Sequence, residues 1–93
     1  MLRNELADQI AEFAKRIATR VEGQELDENA KDLAAFISAR LLEMEQECRS
    51  GMIKPKHERH PELSYYVTDS DRPWLGAELS QELVRLERLY RKI

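Results

Sequence analysis

Residues 26–51, LDENAKDLAAFISARLLEMEQECRSG, decide the fold. Leu26, Ala30, Leu33, Ile37, Leu41, Met44 and Cys48 recur every three or four positions, the spacing that places side chains on one face of an α-helix. Asp27 or Asn29 can cap its start, because a short polar side chain accepts from the free N–H groups of a first turn. Acidic residues gather there, where the positive end of the helix dipole favours them. Ser50 and Gly51 supply the stop, so the pattern predicts a helix over about 27–50. Ala35, Ala39 and Leu42 fall roughly opposite the core stripe, with Phe36 between, which implies a second contact surface.

Toward the N-terminus, Leu2, Leu6, Ile10, Phe13, Ile17 and Val21 repeat the same spacing and predict a helix over about 2–22. Ala7, Ala11, Ala14 and Ala18 form a small-residue stripe beside it, where a neighbouring backbone could approach closely. Glu5, Asp8, Glu12, Lys15 and Arg16 take the wet side. Gly23 is the residue best able to end this helix in the left-handed conformation. A connection of a few residues then makes the two helices an antiparallel hairpin.

Toward the C-terminus the periodicity vanishes from about Gly51 to Asp71, where Pro55, Pro61, His57, His60 and alternating charges replace it. Tyr65, Tyr66, Val67 and Thr68 favour extended backbone, but no second strand-forming run exists to pair with them, so they read as a strap over the helices. Ser70 or Asp71 before Arg72 and Pro73 resembles a helix start, and a third helix is expected over about 73–92. Leu75, Leu79, Leu83, Leu86, Tyr90 and Ile93 form its apolar side, while Gly76 weakens its first turn. The fold class is therefore all-α: one domain over residues 1–93, with a helical hairpin, a long loop and a C-terminal third helix.

Composition narrows the function. The 15 Lys and Arg against 18 Asp and Glu give a net charge of −3, which argues against a whole-protein grip on nucleic acid or anionic membrane. The lone Cys48 has no intrachain disulfide partner and sits in the core register, as a small buried hydrophobe would. The first residues are amphipathic and charged where a signal peptide has an apolar run, so a cytoplasmic location is expected. No apolar stretch reaches the roughly 18 residues of a membrane span.

Candidate chemistry is sparse. His57 and His60 stand three apart beside Pro61, whereas metalloprotease helices place their histidines four apart, and no nearby cysteine adds a ligand. No metal or other cofactor is expected. No catalytic centre is legible, and the chain is read as a non-enzyme. Three of the six aromatics, Tyr65, Tyr66 and Trp74, fall in or beside a polar loop together with Arg72, and Tyr, Trp and Arg dominate binding hot spots. The leading expectation is a protein-interaction module, such as an adaptor, inhibitor or regulatory subunit. It would bind its target through the 51–74 loop and the start of the third helix. The alternative is nucleic-acid binding, with Lys54, Lys56, Arg59, Arg85 and Arg88 as candidate phosphate contacts. Arg85, Arg88, Arg91 and Lys92 also complement the C-terminal end of the third helix. They could dock on the acidic run Glu43, Glu45 and Glu47, within the chain or across a dimer. A homodimer is expected, since one third helix leaves apolar residues of the hairpin uncovered.

Overall fold

A computed structural model describes residues 2–52 and 75–92. They form three helices: α1 (Arg3–Glu22), α2 (Glu28–Ser50) and α3 (Ala77–Lys92). The all-α class and the hairpin expected from the spacing are present, with α1 and α2 in extensive contact and α3 packed on α1. No described helix is long and apolar enough to cross a membrane.

The apolar stripes set the core. Leu6, Ile10, Phe13 and Ile17 of α1 meet Ile37, Leu41, Met44 and Cys48 of α2, all buried. In both helices these positions alternate steps of four and three, the 3.5-residue repeat that lets two helices keep one seam in register. Leu79, Leu83, Leu86 and Tyr90 of α3 follow the same alternation and close the core, with Leu75 buried just ahead of the helix. The alanine stripe of α1 divides. Ala7 is buried and Ala14 packs against the core, while Ala18 is exposed, because the stripe runs along the flank of the seam.

Helix ends follow local chemistry. The Asp27 carboxylate accepts from the Ala30 N–H at 2.8 Å, so Asp27 is the cap of α2, and the helix begins one residue after it. Gly51 ends α2 at φ 77°, a left-handed conformation that glycine adopts without steric cost. Gly23 behaves differently from expectation. It lies at φ −82°, and α1 closes through backbone bonds from Gly23 N–H to the Thr19 carbonyl at 3.3 Å and from Gln24 N–H to the Val21 carbonyl at 3.2 Å. The start of the third helix also moves, from about 73 to Ala77. Gly76 takes φ 84°, incompatible with a right-handed helix, so it stands outside the first turn that the sequence pattern placed it in. The Ser80 hydroxyl then donates to the Gly76 carbonyl at 2.8 Å and fastens that turn.

Polar ties fix the directions of the helices. Arg3 donates to the Gly51 carbonyl at 3.5 Å and Arg49 pairs with Asp8 at 3.0 Å, so α2 runs opposite to α1. Arg16 pairs with Glu78 at 3.2 Å near the start of α3, and Arg85 donates to the Gln9 side-chain carbonyl at 2.7 Å further down. Helix α3 therefore also runs opposite to α1 and parallel to α2. The ends joined by residues 53–74 consequently lie at opposite ends of α1, about 30 Å apart for a twenty-residue helix.

Two substitutions test this assignment. Ile37→Ala empties a fully buried position and is expected to lower the unfolding free energy by about 2–5 kcal/mol in urea melts. Asp27→Ala removes a cap on an exposed turn and should cost about 1 kcal/mol. Equal effects from the two would contradict the packing described.

Candidate docking face

Helix α3 is amphipathic in two senses. Its inner stripe fills the core, and its outward side carries Ala77, Gln81, Arg85, Arg88 and Lys92, all exposed, with Val84 and Leu89 half-buried at the margins. These residues, with Ser80, line an open cleft of about 610 Å³. The lining is mostly hydrocarbon, from Ala77, Val84, Leu89 and the stems of the longer side chains, with cationic ends at the rim.

The cations at this rim differ in availability. Arg85 is held: its guanidinium donates through Nε to Glu82 at 3.1 and 3.3 Å, and Nη2 reaches both Glu82 and Gln9. Arg88 and Lys92 make no ion pair among the described residues. Of the two expected phosphate contacts in this helix, Arg85 is thus committed to its own chain and Arg88 is open to solvent. Tyr65, Tyr66, Arg72, Trp74, Lys54, Lys56, Arg59, His57 and His60 lie outside the described residues.

The acidic run of α2 has other partners than the sequence suggested. Glu43 binds Arg40 at 2.9 Å, Glu45 binds Arg49 at 2.9 Å, and Glu47 accepts the Tyr90 hydroxyl. The first two pairs are three and four residues apart on one helix, and such neighbours form with less loss of side-chain freedom than contacts between helices. At the foot of the bundle, the Arg40 guanidinium lies 5.8 Å from the Tyr90 ring centroid, within cation–π range. Tyr90 therefore carries its ring into the core and its hydroxyl to the α2 carboxylate, a contact that sets the register of α3 against α2.

Burial, together with the hydrogen bond to anionic Glu47, pushes the Tyr90 phenol up to about 12, partly offset by Arg40. The folded phenol stays protonated where the unfolded one ionises. Its contribution to stability is full below pH 10 and is lost as pH rises from there through 12. Phenolate absorbance should show one tyrosine titrating near 12, and Tyr90→Phe should delete that step alone. Ordinary titration of every tyrosine near 10 would refute the contact.

A second cleft, of about 520 Å³, opens where Lys15, Arg16 and Arg20 of α1 meet the start of α3. The sequence pattern put Lys15 and Arg16 on a plain solvent face. Their grouping with Gly76 comes from helix packing, and no spacing signal along the chain announces it. On α2, Ala35, Ala39 and Leu42 are exposed, Leu42 by 53%, so the described helices leave that stripe uncovered. Comparison with protein-family models, with characterised proteins and with solved structures finds no match to this chain.

Proposed function

We propose that this chain is a protein-interaction module that docks its target on the outward side of α3. The observation that supports the reading is the cleft along that helix, floored by Ala77, Val84 and Leu89 and rimmed by the open cations Arg88 and Lys92. An apolar floor with a polar rim is the usual anatomy of a protein contact. The cleft begins at the start of the third helix, where the aromatic-rich part of the sequence also ends. Phosphate recognition is less well supported. Among the described residues only two rim cations are open, and hydrocarbon contributes nothing to a phosphate backbone.

Photo-crosslinking in living cells tests the module directly. A benzophenone side chain at Gln81, exposed in the middle of the cleft, should trap a discrete protein, while the same group at Lys31, exposed on α2 and outside the lining of the cleft, should not. Trapping of nucleic acid at Gln81, or of nothing at either position, would overturn the reading.

Self-association is a further part of the proposal, through the uncovered α2 stripe. Leu42 and the adjacent Phe36 are the large apolar side chains exposed there, far from the roughly 800 Å² per partner that a specific stable interface buries, so the dimer is weak. Sedimentation equilibrium should show a monomer–dimer mixture at high micromolar concentration, shifted to monomer by Leu42→Glu. A monomer mass throughout that range would remove it.

A further inference from the structure

We infer that the occupant of the α3 cleft is an acidic amphipathic helix of about four turns; this inference rests on the docking-face reading above. The length follows from the site, since its lining runs the whole of α3, sixteen residues or about 24 Å. The preference for a helix follows from spacing. Ala77, Gln81, Val84 and Arg88 stand four, three and four residues apart, the alternation that accepts the knobs of a second helix along one seam.

The sign of the occupant follows from charge. Arg88 and Lys92 are exposed and make no ion pair among the described residues, and Arg91 adds a third basic residue at this end of α3, which outweighs the partial negative charge of the helix terminus. The whole chain carries −3, so an acidic partner is disfavoured over most of the surface and favoured at this rim. A second copy of this face is a poorer occupant, because parallel pairing would set Arg88 and Lys92 against themselves and antiparallel pairing would set them opposite the uncharged Gln81 and Ala77. Nucleic acid is disfavoured by the same count of open cations, since Arg85 is already bound by Glu82 and Gln9.

Three probes decide the matter against the full chain in physiological salt, read by fluorescence anisotropy. One is a labelled helical peptide with Leu at the seam positions and Glu on both flanks. The second is its Lys-flanked counterpart, and the third is a twenty-nucleotide single strand. The acidic peptide is expected to bind with micromolar affinity and the other two at least tenfold more weakly. Arg88→Glu with Lys92→Glu, both at exposed positions, should weaken the acidic peptide at least tenfold and gain the Lys-flanked one. Arg88→Gln with Lys92→Gln provides the milder test and should lose the preference between peptides. Circular dichroism verifies that each variant is folded. Failure of the acidic peptide to bind, equal binding of both peptides, unchanged affinity in the variants, or tighter binding of the single strand would each overturn the inference. If Gln81 traps a protein in cells while the acidic peptide fails, the docking face stands and the assigned occupant is wrong. If both experiments fail, the face itself is wrong.

Discussion

The seam between α1 and α2 is the constraint on which the rest of the molecule depends. Ile10, Ile17, Ile37 and Leu41 are fully withdrawn from water, and each such side chain is worth about 1.5–3 kcal/mol of burial. Because both stripes repeat every 3.5 residues, the helices stay in contact along their length instead of crossing at one point. Phe13 and Met44 lie in the same buried cluster as the α3 residues. The leucine stripe of α3, ending in Tyr90, completes that cluster.

Electrostatic contacts do a different task. Exposed pairs such as Arg49–Asp8 and Arg16–Glu78 are each worth about 0–1 kcal/mol and could not hold the bundle. They discriminate between arrangements of nearly equal burial, since hydrophobic attraction has no direction and a stripe of leucines packs about as well pointing up as down. The Tyr90–Glu47 contact belongs with them, but it reaches into the core boundary, where a misplaced hydroxyl would be left without a partner. Glu87 extends the same theme. It is only 3% exposed, on the core side of α3, and it is engaged by a polar interaction.

With the inner stripe of α3 spent on the core, its outward side is left to interact. That division explains why the basic end of α3 need not be a purely structural complement to the helix dipole. Arg85 serves the fold by bridging to α1, whereas Arg88 and Lys92, one and two turns further on, have no such task among the described residues. The proposed function grows from this asymmetry between neighbouring cations on a single helix.

The sequence by itself determined the three helices, the hairpin of α1 and α2 and most of the residues that face the core, although Leu2, which it put on the α1 stripe, lies exposed just ahead of the helix. Each rests on period and on short connections, which are local properties. It also offered Asp27 or Asn29 as a cap, and the structure chose Asp27, whose bond spans three residues. It misjudged Gly23 and Gly76 because a glycine's φ is chosen by where the chain must go next, and the residue type permits either sign. Only the tertiary structure decided that α3 lies parallel to α2. A connection as long as residues 53–74 spans up to about 70–80 Å when extended, more than twice the length of α1, so it permits either direction. Only packing, likewise, assembled the cleft at Lys15, Arg16 and Arg20 and separated the anchored Arg85 from the open Arg88. The cleft and the Arg85–Gln9 bond depend on partners many residues away in the chain, which no periodicity encodes, whereas the Arg85–Glu82 pair is local.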